Sequence, residues 1–272
     1  MTARSDVLSE VLSDLAGEGA WLDAVLADLD TSGWQRPTPA PGWTIAHQVA
    51  HLAWTDEQAL SAATDPAAFA DRLRRVLAGE VTVDGAAAAG AALPPPALLQ
   101  RWRRARANLA AALATVPAGT KLPWFGPPMS ATSMATARLM ETWAHGQDVA
   151  EALRVPHPAT SRLRHVAYLA VRTRDFAFTL HGSTPPSEAF AVWLTAPDGT
   201  IWAWGPADAA QRVEGTALDL CLLATQRRHR SDTGLVATGR DADRWLDIAQ
   251  AFAGPPGAGR EPGSPAGLAE PA

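Results

Sequence analysis

The chain has 272 residues, a net charge of −5 and a single cysteine, Cys221. The acidic balance and the lack of a long basic run exclude a typical nucleic-acid-binding protein, and one cysteine excludes both an internal disulfide and a cysteine-rich zinc ribbon. With 47% hydrophobic and 19% charged residues, no leader pattern and no apolar run of about 18 residues, we expect a globular cytoplasmic protein without membrane spans.

Five segments of the first half carry apolar residues at helical spacing, and stretches rich in proline, glycine or alanine separate them. Thr44 is a plausible N-cap of the second helix, Pro66 suits the first turn of the third, and Ser130 or Thr132 can cap the fifth. The helices are predicted at about residues 5–29, 44–62, 65–78, 97–115 and 130–155, and the loops at 34–42, 79–96 and 117–128. These segments together predict a helical bundle.

The pattern changes at Pro156-His157-Pro158, which predicts a domain boundary. Two strands predicted beyond it flank an Asp-Gly turn, which is a strong hairpin signal. The predicted strands span 189–195 and 200–204, and the predicted helices 162–181, 216–229 and 241–253. We therefore expect a mainly α protein with three parts: a bundle at 1–155, a smaller α+β domain at 156–253, and a disordered Pro/Gly-rich tail at 254–272.

Two side chains of the last bundle helix have the spacing of a metal-ligand pair. Glu141 and His145 are four residues apart, so on a helix they share one face with Cβ atoms roughly 5–6 Å apart. A catalytic metal commonly takes three protein ligands and leaves one position open, and a bundle can supply the third from a facing helix. The preferred donor is His51, chosen over His47 mainly from the family resemblance given below, and the prediction is a His–Glu–His site for zinc or another divalent metal.

Other interpretations of these residues stay open from sequence alone. A Glu-x-x-x-His pair also occurs on helix surfaces, and a histidine in a core is often simply hydrogen-bonded. His47, one turn before His51, could be a ligand, a hydrogen-bonding neighbour of a ligand or a satisfied core residue. Asp148 could hold the second nitrogen of a ligand histidine or form a salt bridge with an arginine such as Arg138.

An ordered set of motifs resembles a known family. Trp34, the run Thr38-Pro-Ala-Pro-Gly-Trp-Thr44, the pair His51-Leu52 and the motif Glu141-x-x-x-His145 resemble the DinB/YfiT-like metalloenzymes. Within these, the chain is most similar to the mycothiol-dependent maleylpyruvate isomerase group of actinobacteria. The resemblance implies a DinB-like four-helix bundle with zinc on two histidines and one acidic residue, followed by a sterol-carrier-like α+β domain.

The resemblance also implies a chemistry. In that family a low-molecular-weight thiol such as mycothiol is the cosubstrate, and an arginine of the C-terminal domain takes part in isomerisation. Arg228, or its neighbour Arg227, is the nearest candidate here, although basic residues just after a helix also complement the helix dipole. The expected partners are a small-molecule substrate and a thiol, with no nucleic acid and no membrane, in a monomer or homodimer.

Three functional hypotheses follow. The preferred one is a divalent-metal-dependent enzyme that uses a thiol for S-transfer or isomerisation of a small electrophile. The same ligands would also serve a metal-hydroxide hydrolase, and dependence on added thiol separates the two. The third hypothesis is a non-catalytic carrier that holds an apolar ligand in its C-terminal domain.

Cys221 has no activating neighbour in the sequence and is expected to be a small buried residue.

Overall fold

The computed structural model describes residues 2–263 of the chain. It divides into two compact units, and the division falls between Val155 and Pro156. The chain is mainly helical, and the strands of the described sheet all belong to the second unit, which confirms the predicted fold class. Among the described residues, no helix has both the length and the apolar composition that crossing a bilayer requires.

The N-terminal unit is built on four long helices, α1, α3, α6 and α7, that pack against one another. Their contacts enclose a core of leucine, valine, alanine and tryptophan side chains. Three short helices fill the connections. The bounds in chain order are α1 Thr2–Ala27, α2 Thr31–Trp34, α3 Ile45–Thr64, α4 Pro66–Leu77, α5 Val83–Ala91, α6 Pro95–Thr115 and α7 Ala131–Leu153.

Local hydrogen bonds set the starts of α3 and α7, the two helices that matter most for the site. Thr44 is the N-cap of α3, and its backbone N–H donates to Nδ1 of His47 at 3.3 Å. Ser130 is the N-cap of α7, and its hydroxyl accepts from the Ser133 backbone N–H at 3.1 Å. Since capping side chains satisfy backbone donors that the helix leaves unpaired, the sequence itself fixes where both helices begin.

The predicted loop at 79–96 is wrong, because α5 lies within it. Thr82 caps this helix by accepting from the Gly85 backbone N–H at 3.0 Å, and four consecutive alanines supply high helix propensity. Gly90 lets α5 approach α3 closely: a Cβ at this position would lie 2.7 Å from the Cβ of Ala50. The abundance of alanine and glycine, taken as a loop signal, instead serves close helix packing.

The C-terminal unit combines helices with one four-stranded sheet of order β2-β1-β3-β4. β1 and β2 form the predicted antiparallel hairpin, and Gly199 takes φ +80° in its turn. β1 also pairs with β3 in parallel, and β3 pairs with β4 antiparallel. The bounds are α8 Leu163–Arg172, α9 Arg174–Leu180, β1 Phe190–Thr195, β2 Ile201–Trp204, β3 Gln211–Thr216, α10 Ala217–Ala224, β4 Val236–Thr238 and α11 Arg240–Ile248.

Several predicted elements of this unit differ from the structure. The helix expected at 162–181 is broken at Thr173 into α8 and α9, and the helices expected to reach 229 and 253 end at Ala224 and Ile248. Gln226 lies at φ +60°, a left-handed conformation that a helix cannot contain. Residues 254–263 have no regular secondary structure, and the rest of the tail predicted to be disordered, 264–272, lies outside the described residues.

Candidate metal centre

The facing helices α3 and α7 bring His51, Glu141 and His145 together. Oε2 of Glu141 lies 3.4 Å from Nε2 of His51 and 3.2 Å from Nε2 of His145. The two imidazole centroids are 4.6 Å apart, and one ligand atom from each residue lies within 4.8 Å of the other two. Ligand atoms about 2.1 Å from a tetrahedral ion are separated by roughly 3.4 Å, so the spacing suits a single divalent ion.

The three side chains are only partly buried. The exposed fraction is 11% for the His51 side chain, 12% for His145 and 23% for Glu141. The group therefore lies below the surface, and its side chains keep a small exposed fraction. A structural zinc site usually has four protein ligands, and the cluster found among the described residues offers three.

The electrostatics of the group favour a charged carboxylate. Burial raises the pKa of Glu141, but hydrogen bonds from His145 and His51, together with their positive charges, outweigh burial and hold that pKa well below its usual range. Glu141 is consequently ionised at neutral pH. An ionised carboxylate beside two imidazole nitrogens is a donor set that zinc and ferrous iron both accept, and the residues present therefore fit a divalent metal.

Trp43 covers one side of the histidine pair. Its ring stacks on His145 with an interplanar angle of 16° and a centroid distance of 6.0 Å, and lies 5.4 Å from the ring of His51. The indole Nε1 donates to Asp84 on α5 at 3.0 Å, which tethers the ring. Because Trp43 immediately precedes the capped start of α3, the Gly-Trp-Thr run places an apolar wall beside the candidate ligands.

The sequence did not decide the roles of His47 and Asp148, and the structure places these two residues in different surroundings. Nδ1 of His47 accepts from the backbone N–H of Thr44 and lies 2.9 Å from its hydroxyl, so His47 serves the helix cap. Asp148 is buried on α7. Arg138, its suggested partner, donates instead through Nε to Asp56 at 2.8 Å in a buried pair that links α7 to α3. Burial raises the pKa of Asp56, and the Arg138 charge opposes that rise.

Sequence reasoning missed Gln48, which lies against His145. Oε1 of Gln48 is within hydrogen-bond distance of Nδ1 of His145, the nitrogen that faces away from Glu141. Gln48 is fully buried on α3, one turn before His51. The sequence contained one usable signal for Gln48. It lies three positions before the candidate ligand His51, so on a helix the two side chains share one side.

Arg228 lies in the C-terminal unit, just after α10. Its Nη1 donates to Oδ1 of Asp219 at 3.3 Å, and its side chain lines a cavity of about 590 Å³ together with Leu223, Gln226 and Ile248. The neighbouring Arg227 donates to the backbone carbonyl of Thr225. The catalytic role of Arg228 stays a prediction.

The Cys221 thiol is fully buried, and burial raises its pKa, which makes it a poor nucleophile.

Comparison with known proteins gives matches over both units. Residues 15–150 match the family model for the mycothiol maleylpyruvate isomerase N-terminal domain, and residues 186–238 match a model described as wyosine base formation. An uncharacterized protein from each of two Mycobacterium tuberculosis strains is 58% identical over 250 residues, which cover 92% of this chain and 97% of the relative.

Two crystal structures share the fold. They are those of a mycothiol-dependent maleylpyruvate isomerase, with a TM-score of 0.55 and 20% identity, and of a mutant of such an enzyme, with a TM-score of 0.56 and 19% identity. Each alignment covers 85% of this chain and 92% of the solved chain. The shared architecture therefore extends over both units and is not confined to the helical one.

Proposed function

Because the chain belongs to the mycothiol maleylpyruvate isomerase N-terminal domain family, we propose that it is a thiol-dependent isomerase of a small electrophilic substrate. Mycothiol or a similar low-molecular-weight thiol is the proposed cosubstrate, and His51, Glu141 and His145 are the proposed ligands of a divalent metal, zinc in the first instance. The single observation that carries this proposal is the convergence of these three side chains between α3 and α7.

A divalent ion held there would act as a Lewis acid and lower the pKa of a thiol, so that a thiolate is available near neutral pH. The chain's own residues prepare the site for that ion. Glu141 contributes a carboxylate that is already charged, and each histidine presents Nε2 toward it. None of the three is then free to act as a general acid or base.

The surrounding residues orient and shield the site. The Trp43 ring covers one face of the histidine pair and excludes water from that side. The buried Asp56–Arg138 pair ties α3 to α7 close to the candidate ligands, since Arg138 is three residues before Glu141 on the same helix. This pair would resist separation of the two helices and so keep His51 in register with Glu141 and His145.

The reaction would be an addition and elimination. The thiolate sulfur would form a bond to an electrophilic carbon of the substrate, the double bond so removed would become a single bond that can rotate, and elimination would restore the double bond in the other geometry. The thiol returns unchanged, and the product is an isomer of the substrate. We propose Arg228 as the arginine that binds a substrate carboxylate, because a guanidinium matches that group in a two-point hydrogen bond.

The test supplies zinc-loaded protein with mycothiol and maleylpyruvate, a substrate of this chemical class, and follows both thiol and product. Isomerised product with no net loss of thiol is the expected result. Accumulation of a thioether would indicate S-transfer, and cleavage of the substrate by water without thiol would indicate the hydrolase alternative. Absence of any reaction with a panel of unsaturated dicarboxylates would contradict the proposal.

Variants locate the activity. Glu141→Gln should abolish turnover, because it removes the charged ligand while it keeps the side-chain shape. Glu57→Gln is the matched control, since Glu57 lies on α3 and forms a two-point ion pair with Arg101 at 2.7 Å. Equal loss in both variants would indicate a general effect on folding.

Arg228→Lys should raise KM for a carboxylate substrate more than it lowers kcat, because Lys keeps the positive charge but cannot form the two-point hydrogen bond of a guanidinium.

A further inference from the structure

The contact between Gln48 and His145 is one end of a chain of hydrogen bonds. Oε1 of Gln48 faces Nδ1 of His145, and Nε2 of Gln48 donates to Oγ1 of Thr38 at 2.8 Å. Oγ1 of Thr38 in turn lies 2.9 Å from the backbone carbonyl of Trp43. The chain thus runs from a candidate ligand on α7, through α3, to the turn that precedes α3.

The direction of each hydrogen bond in this chain follows from its last acceptor, the backbone carbonyl of Trp43. A carbonyl oxygen can only accept, so the Thr38 hydroxyl must donate its proton to Trp43. Because the Thr38 hydroxyl already donates its proton to Trp43, its oxygen can only accept from Gln48. The NH₂ of the Gln48 amide therefore faces Thr38, and the amide oxygen faces His145. The amide oxygen cannot donate, so Nδ1 of His145 must carry the proton.

We infer that Gln48 is a positioning residue that fixes His145 with its proton on Nδ1 and its Nε2 available toward Glu141. A histidine ligand that coordinates through one nitrogen needs a partner for the proton on the other, and Gln48 supplies that partner from a fully buried position. The orientation of the ring is a property of the chain itself. Its use in metal binding rests on the proposed function.

The other candidate histidine shows what happens without such a partner. Nδ1 of His51 is buried and has no hydrogen-bond partner among the described residues. The printed hydrogen bond of the His51 ring is made by Nε2 to Glu141 at 3.4 Å, so no hydrogen bond in the described residues holds a proton on its Nδ1, whereas His145 loses the bond to Gln48 if Nδ1 gives up its proton. The two histidines are therefore unequal, and His145 is the ligand that the protein orients in advance.

The first arm of the test uses the metal-free, full-length protein and nitrogen NMR of the histidine side chains. Nδ1 of His145 should be protonated, because its hydrogen-bond partner is the Gln48 amide oxygen, whether or not Nε2 also donates to Glu141. In Gln48→Leu, Nδ1 should lose its proton in part of the population. A neutral wild-type ring with the proton on Nε2 would overturn the inference, whether or not a metal binds.

The second arm measures zinc affinity by competition with a chelator. Gln48→Leu should raise the Kd roughly 10–100-fold, the usual effect of removing a partner of a ligand histidine, and Gln48→Glu, which restores an acceptor, should recover most of the loss. Gln58→Leu is the matched control, since Gln58 is another buried glutamine of α3 and its amide bonds to the carbonyl of Trp54. Equal effects of the two leucine variants would overturn the positioning role.

The two arms separate two kinds of failure. A wild-type protein that binds no zinc, yet keeps the proton on Nδ1 of His145, would contradict the metal site and leave the orientation by Gln48 standing. Thr38→Val removes the hydroxyl that directs the Gln48 amide and should weaken zinc binding less than Gln48→Leu. Thr136→Val, on α7, is its control, because that hydroxyl bonds only within its own helix in the described contacts.

Discussion

The two units differ in where they keep their polar side chains. In the N-terminal unit, α3 and α7 bury charged and hydrogen-bonding groups such as Gln48, Asp56, Arg138 and Asp148. In the C-terminal unit the buried side chains are almost entirely apolar in the described residues, apart from groups such as Thr225, and ion pairs such as Arg230–Asp243 are partly or largely exposed. Both units have apolar cores, and the N-terminal unit adds a set of buried polar side chains on α3 and α7.

The difference agrees with the proposed metal site in the N-terminal unit. Burying a charge costs free energy that even a good ion pair only partly returns, so a protein gains little stability from a polar interior. Departures from an apolar, fully consistent interior are expected at functional sites. The buried polar side chains of α3 and α7 lie around His51, Glu141 and His145, whereas the buried side chains of the second unit are mostly apolar and its proposed substrate-binding residue, Arg228, is partly exposed. Four measurements would break or sharpen this contrast.

The largest expected effect comes from breaking the buried ion pair. Asp56→Ala leaves the Arg138 guanidinium buried, with an exposed fraction of 1%, and without its carboxylate. The free energy of unfolding should fall by about 3–5 kcal/mol, measured by urea unfolding of the full chain. The double variant Asp56→Leu/Arg138→Met should recover most of that loss. A loss in the single variant no larger than that of a surface substitution would contradict the contrast.

The next effect is the pH dependence of stability that Glu141 contributes. Because its pKa is lower in the folded protein than in the unfolded chain, it stabilises the fold above the ordinary glutamate pKa, and this contribution is lost as the pH falls through the depressed folded-state pKa. In the metal-free protein, the stability advantage of wild type over Glu141→Gln should therefore shrink on acidification. A constant difference across that range would show that the carboxylate is not stabilised by the two histidines.

A third effect tests the packing of α5 on α3. Gly90→Ala places a Cβ 2.7 Å from that of Ala50, so α5 must shift and the free energy of unfolding should fall by about 1–3 kcal/mol. Gly85→Ala, at the start of the same helix, is a useful comparison, since its Cβ would meet the Thr82 hydroxyl at 2.9 Å and a side chain can turn away. A stabilised Gly90→Ala protein would mean that α5 does not pack as described.

The smallest effect is expected in the C-terminal unit. Asp243→Ala removes an ion pair with Arg230 in which the Asp243 side chain is 62% exposed, and Arg230 keeps Asp247 as a partner. Exposed pairs contribute about 0–1 kcal/mol, so urea unfolding should change by no more than that. A loss comparable to that of Asp56→Ala would remove the distinction between the two units.

The features that were predictable from sequence are those set by local chemistry. The helices that became α3 and α7 follow from apolar periodicity and from the caps Thr44 and Ser130. Once both helices were assigned, the spacing of Glu141 and His145, with His51 from the resemblance, indicated which side chains meet. The hairpin of β1 and β2 likewise follows from a short-range Asp-Gly signal.

The features that were missed depend on contacts between distant segments. Gln48 meets His145 across 97 positions of sequence, and no local pattern shows which of several polar residues on α3 does so. β3 carries one fully buried side chain, Val213, and it is a strand because it pairs with β1 and β4. α5 consists largely of residues whose composition suits a loop as well as a closely packed helix, and only its fit against Ala50 decides between them.

The most direct test of the central claim is the metal content of protein purified without chelator and, where needed, reconstituted with zinc. Wild type should hold about one equivalent, as expected for a three-ligand catalytic site. His51→Ala and Glu141→Ala should lose it with unchanged circular dichroism. His181→Ala, which removes an exposed histidine of the C-terminal unit, should retain it. A wild-type protein that takes up no metal after reconstitution, or variants that bind it as well as wild type, would contradict the account.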